Sequence, residues 1–187
     1  MIMLKKYVDD FISHVMNSDV IDLYNEAGLQ YELAIYLRGH LPSEYKVQLE
    51  RNIRFFYPDK NFRKSEMDIC VFHNDERHCI EIKFPGNGAT PRRMYQCFED
   101  VNFLEELRTA GFCESIFLFV SDEDGFFSGR DTSLIYQTFR IDHYFRQLDS
   151  QNLPNFLQNE RPLSIQGQYG FEPKKLKGDY QYFLVAI

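Results

Sequence analysis

Apolar positions Leu4, Tyr7, Val8, Phe11, Ile12, Val15 and Met16 recur at three-and-four spacing, with Lys and Asp between them. This predicts an amphipathic helix over residues 4–16 that packs one stripe against the rest of the chain. A second helix is expected over 26–38, with Asn25 as N-cap, Leu29, Leu33, Tyr36 and Leu37 inward, and Gly39 as its stop. After Pro42 the period changes to two, placing Val47, Leu49, Arg51, Ile53 and Phe55 on one face of a strand. Residues 66–73 and 77–84 then read as a hairpin around Asn74-Asp75. Thr90-Pro91 supplies an N-cap and first-turn proline for a helix to about Ala110, ended by Gly111, with Met94, Cys97, Phe98, Val101, Leu104 and Leu107 as its buried stripe. The apolar run Ile116 to Val120 suits a strand covered on both faces. Beyond it a polar loop from Ser121 to Gly129, a helix over Leu134 to Leu148, and strands near Leu163 to Phe171 and Tyr180 to Ile187 are expected. No repeat, low-complexity tract or long linker interrupts the pattern, so residues 1–187 read as one domain.

Composition adds constraints rather than elements. An apolar fraction of 44%, with 18 Phe and 12 Tyr, is ample for a packed core. The formal charge of −7 is opposite in sign to that of a protein that coats nucleic acid. It leaves room for a nuclease, because clustered carboxylates hold divalent metal and the bound cation offsets repulsion toward phosphate. The four cysteines, at 70, 79, 97 and 113, form no CxxC pair, and Met1 to Lys6 runs into Asp9 and Asp10 before an apolar stretch develops. A cytoplasmic protein with reduced thiols and no membrane partner is expected.

A two-residue turn at Asn74-Asp75 pairs Phe72 with Arg77, Cys70 with Cys79, and Asp68 with Glu81. Directly opposed Cβ atoms lie roughly 5 Å apart, where two carboxylates destabilise a sheet unless one is protonated or a cation sits between them. A divalent metal resolves the conflict. Lys83 projects from the same face as Glu81, while Ile80, Ile82 and Phe84 take the other, leaving the Ile82 backbone carbonyl as a further metal ligand. The plain alternative is an edge-strand salt bridge in solvent, which the aliphatic reverse face and the neighbours Cys70, Phe72 and Cys79 argue against.

Asp68 followed by Glu81-Ile82-Lys83, in a helix, strand, strand, strand, helix, strand order over about residues 25–121, resembles the PD-(D/E)XK nuclease superfamily. The resemblance implies an α/β, restriction-endonuclease-like αβββαβ core: a mixed central sheet flanked by helices, here with an extra N-terminal helix and a C-terminal helix plus strands. It further implies Mg²⁺, with Mn²⁺ as substitute, held by Asp68 and Glu81, and Lys83 assisting the attacking water. Glu32 looks like the acid many members carry on the helix before the first core strand, as catalytic residue and metal ligand, with Glu26 a weaker substitute. Gln96 is similar to a glutamine that some exonuclease-like branches place near the substrate phosphate. Position 67 holds Met where the family often has proline, and position 100 holds Asp where a tyrosine usually follows the glutamine.

Arg92 and Arg93 stand in the first turn of their helix, where cations oppose the helix dipole, so local stability does not explain them; phosphate contact would, and plain surface charge would do so equally. Lys174, Lys175 and Lys177 form the densest basic cluster. The expected function is metal-dependent hydrolysis of nucleic acid, DNA first, in restriction, defence or repair. A sequence-specific enzyme of this length would read bases with residues 121–187 or through a homodimer. The competing expectations are a catalytically inactive module of the same fold that binds nucleic acid or protein, and, more remotely, a thiol redox protein using Cys70 and Cys79.

Overall fold

In the computed structural model, which describes every residue except 87, 89, 90, 131, 132, 150, 152, 154–156, 158 and 159, the first stripe forms α1 (Leu4–Asn17) and buries Leu4, Val8, Phe11, Ile12 and Val15. The second helix, α2 (Glu26–His40), starts where Asn25 accepts a 2.7 Å hydrogen bond from the Gly28 N–H. It runs straight through Gly39. Its end is set by Leu41, held extended at ψ 154° in front of Pro42, where the proline ring disfavours a helical predecessor.

Strand β1 (Lys46–Asn52) is shorter than the alternation predicts. Asn52 accepts from the Arg54 N–H at 3.0 Å and turns the chain into a 3-10 helix at Ile53–Phe55. Nor do the alternating residues share one face. Glu50 sits at φ 49°, a left-handed kink, so Val47 and Leu49 pack on the α1–α2 side while Ile53 packs on the opposite side. The hairpin is as expected: β2 (Glu66–His73) and β3 (Glu76–Lys83) pair antiparallel with Cys70 opposite Cys79, and Asn74 carries the left-handed φ of 52°. Helix α3 (Pro91–Ala110) buries the stripe foreseen for it; its expected cap, Thr90, lies outside the described residues. Strand β4 (Ser115–Ser121) is buried at every position and runs parallel to β3.

The C-terminal third departs most from expectation. The helix over 134–148 shrinks to α4 (Leu134–Gln137) and a π turn at Thr138–Asp142, after which His143 takes a left-handed φ of 52° and the chain becomes β5 (Tyr144–Phe145). Phe139 and Phe145 are both buried, and six residues of straight helix would set them about 120° apart, so the chain unwinds to bring both inward. Of the strand expected near 163–171 only β6 (Tyr169–Gly170) forms. Side chains satisfy the remaining backbone there: Glu105 accepts from the N–H groups of Gln166 and Gly167, and Gln147 bridges the Leu163 carbonyl and the Ile165 N–H. Then β7 (Lys174–Lys175) and β8 (Gln181–Ala186) complete the chain, so two of the three clustered lysines form an edge strand.

The fold is α/β, with a mixed six-stranded sheet in the order β1-β2-β3-β4-β8-β7. Helices α1 and α2 cover one face, while α3 and the phenylalanine-rich C-terminal segment cover the other. Among the described residues no helix is long and apolar enough to cross a membrane. Gly111 closes α3 at φ 108°, where its N–H bonds to the Arg108 carbonyl and Phe112 returns to Leu107. Replacing Gly111 with Ala is expected to destabilise the fold by about 1–2 kcal/mol, read as a lower urea midpoint at unchanged slope.

Candidate active site

The sheet order places β2 and β3 inside, with β1 and β4 beyond them, so the charges on these strands are not edge decorations. Asp68 and Glu81 come together as the register predicts: the Asp68 N–H lies 3.3 Å from Glu81 Oε1, and Asp68 Oδ2 accepts a 2.7 Å hydrogen bond from the Ile82 N–H. Gln30 on α2 fixes the Asp68 backbone, donating to its carbonyl at 2.7 Å and to Glu50 at 2.9 Å. Glu81 is fully buried and also receives the Cys79 thiol at 3.7 Å. Lys83, the last residue of β3, reaches Asp100 on α3 at 3.1 Å and Glu26 on α2 at 3.9 Å, and donates to the Ile82 carbonyl at 3.2 Å.

Three participants were not singled out by the sequence reading. Lys64, in the segment between the 3-10 helix and β2, ion-pairs with both Glu81 and Asp100, the latter at 2.8 Å. Asp100 is only 2% exposed and is gripped by both lysines. Its Oδ2 makes no well-directed hydrogen bond although Lys83 Nζ is 3.1 Å away, so this contact is chiefly Coulombic. A signal for it existed: Asp100 falls three residues after Cys97 and four before Leu104, inside the apolar stripe. Gln30 likewise stands beside Leu29 and Leu33 on the buried side of α2. Lys64 left no comparable trace, because it belongs to no periodic element.

Glu32 is not brought to the site. It lies about 200° around α2 from Gln30, the residue that faces Asp68, whereas Glu26 lies within about 40° of Gln30. The helix acid at this centre is Glu26, whose Oε2 also accepts the Phe84 N–H at 3.0 Å. Arg92 turns away to pair with Glu160. Arg93 lies 3.5 Å from Gln96, and both line a cleft of about 280 Å³ together with Lys64, Lys83, Glu26 and Asp100. A larger cleft of about 560 Å³ lies near Met1 and Ile187, away from the acid cluster.

Burial pushes the Asp68 carboxyl up to about 6, against the pull of Lys64 and Lys83. Burial also raises Glu81 above the usual carboxylate range, and the Asp68 charge adds to it. For Lys83, burial works against the ammonium, but Asp100 and Glu26 outweigh it and hold its pKa above the ordinary lysine value. Lys64 is raised in the same way against its own burial, by Glu81 and Asp100. Both lysines are therefore cations at neutral pH. The thiols are unsuited to redox work: burial lifts Cys70 to about 12 and carries Cys79 well above its ordinary value.

Taken as ionised, Asp68, Glu81, Asp100 and Glu26 outnumber Lys64 and Lys83 by two charges. These are hard oxygen donors of the type Mg²⁺ takes, so the donor chemistry suits that ion. Among the described residues, however, no three His, Cys, Asp or Glu side chains form a ready group for a metal. The Lys64 ammonium stands between Glu81 and Asp100 instead.

A scan against protein-family models finds no match, and searches of curated proteins and of solved structures find none either.

An acid whose folded pKa exceeds its unfolded value disfavours folding increasingly as pH rises between the two, and by a constant amount above them. For Asp68 that window runs from 3.8 to about 6. Asp68→Asn keeps an oxygen for the Ile82 N–H but cannot ionise. In EDTA it is expected to melt above the wild type at pH 7.5, with the gain fading as pH falls through 6 toward 4. A melting difference that ignores pH would contradict the assignment.

Proposed function

We propose that this chain is a metal-dependent nuclease of the restriction-endonuclease-like fold, hydrolysing phosphodiester bonds of nucleic acid, with DNA the expected substrate. The supporting observation is the opposition of Asp68 and Glu81 on two interior strands, with Lys83 at the end of the same β3 strand. A fully buried carboxylate such as Glu81, set beside a second, partly buried one, is costly to a fold, and holding a cation gives the pair a use.

Asp68, Glu81 and the Ile82 carbonyl would hold Mg²⁺ or Mn²⁺. When bound, the ion would polarise the phosphate and offset negative charge in the transition state. The chain's own residues do the rest. Lys83, held cationic by Asp100 and Glu26, acts as a fixed positive charge toward the phosphate and the incoming water, not as a base. Asp100 is a positioning residue acting through Lys83. Arg93 and Gln96 line the cleft and would meet the phosphate backbone. Water adds to phosphorus and the bond to one ester oxygen breaks; that oxygen takes a proton from solvent water as it leaves, and one proton of the attacking water passes back to solvent.

A second reading, a non-catalytic module of the same fold, draws support from Lys64, whose ammonium bridges Glu81 and Asp100 and offsets part of their charge. The two separate in a digestion panel of circular and linear DNA and RNA with Mg²⁺ or Mn²⁺. The enzyme reading expects metal-dependent cleavage that falls about 100-fold or more in Lys83→Ala and in Asp68→Ala, with unchanged circular dichroism. Cleavage at wild-type rates by either variant removes the proposed site, and a wild type inert on every substrate leaves the binding module.

A further inference from the structure

Lys64 owes its position to the segment around it. Phe62 packs edge-on to Phe103 of α3, the Arg63 N–H donates to Glu106 at 2.6 Å, and the Arg63 guanidinium reaches Glu99 and the carbonyls of Arg161 and Pro162. The backbone is thus fastened beside α3, and the flexible four-carbon stem of Lys64 carries its ammonium inward to Glu81 and Asp100. The side chain remains 28% exposed, against 0% for Glu81, and it lines the open cleft. It can therefore withdraw by rotating its own bonds while the backbone stays fixed. Lys83 differs, being tied to Asp100 Oδ2 and the Ile82 carbonyl and making no pair with Glu81.

We infer that Lys64 is an internal stand-in for the divalent cation: its ammonium closes on Glu81 and Asp100 when metal is absent and is displaced from them when metal binds. The inference rests on the metal-site reading above. An ammonium on Glu81 Oε2 repels a divalent ion brought to the same carboxylate and occupies an oxygen the ion would take at about 2.0–2.1 Å, so binding of the ion favours withdrawal of Lys64. Lys64 thus holds the acids in place in the resting protein, at the expense of metal affinity.

Calorimetric titration of the metal-free protein with Mn²⁺, in the wild type, Lys64→Met and Glu81→Gln, tests this directly. Lys64→Met is expected to bind at least tenfold tighter than the wild type, and Glu81→Gln to lose the binding heat. Equal affinity in the wild type and Lys64→Met overturns the displacement while leaving the metal site intact. Absence of Mn²⁺ binding in both overturns the displacement and the metal reading together. If Lys64→Met does not fold without metal, ¹⁵N spectra of lysine side chains in the wild type give the same answer. On adding Mg²⁺ the Lys64 Nζ signal is expected to move along with the Ile82 amide. A shifted Ile82 amide with Lys64 unmoved overturns the displacement alone, and an unshifted Ile82 amide overturns both.

Discussion

A carboxylate with no solvent contact, Glu81, lies against a second one, Asp68, where two interior strands meet, and the surrounding structure is arranged around that repulsion. Glu81 cannot relax into water, and removing one partner of a buried ion pair costs about 3–5 kcal/mol. The structure answers with cations drawn from separate parts of the chain. Lys83 comes from the same strand, Lys64 from the segment before β2, and Asp100 on α3 links them. Losing any one of these leaves another charge uncompensated, so the centre behaves as a unit and not as a set of independent bridges.

The backbone is adapted to the same end. Past Ile69–Ile80, the last partner pair of the β2–β3 ladder, the Asp68 side chain takes the Ile82 N–H, so an acid substitutes for a carbonyl. Opposite Asp68 on β1, Glu50 adopts a left-handed φ of 49°, and the strand changes the face it presents to the core. Gln30 spans this irregularity by bonding Glu50 and the Asp68 carbonyl together. The Glu50 kink and the Asp68–Ile82 bond thus fall side by side, at the place where the buried acids meet.

How much of this could be read in advance depended on period. The hairpin register, α1 and α3 were legible because alternation and three-four spacing are imposed by the backbone itself, and they were enough to oppose Asp68 with Glu81. The mixed sheet and the interior position of β2 and β3 follow the expected order. Glu32 was favoured over Glu26 by its place in a resemblance, but the direction of a helix face is set by tertiary packing, and Gln30 shows which side meets the sheet. The stretch from 134 to 171 failed for a different reason. Its residues are apolar enough for helix or strand, but Phe139, Phe145 and Phe171 converge on Phe183 from different directions, and side chains such as Glu105 and Gln147 complete the backbone bonding that regular elements would have supplied.

Charge argues at two scales. Over the whole molecule the excess of acid repels a polyanion, and at physiological ionic strength that field decays within about 8 Å. On the nuclease reading, what an approaching phosphate would meet is local: Arg93, Lys83 and Lys64 on the cleft wall beside the carboxylates of Glu26 and Asp100, with Arg63 committed to Glu99. The adjacent arginines divide at this point, Arg92 fastening the helix start to Glu160 while Arg93 stays with the cleft. A protein that gripped nucleic acid along its length would carry its basic residues along a surface track. Here the densest basic cluster contributes an edge strand, and Lys177 bonds to the Ser18 carbonyl beside α1. On the nuclease reading, affinity for the substrate is therefore concentrated at the cleft, where a bound cation would add to it, and the acidic remainder of the surface would speed release after the bond is cut.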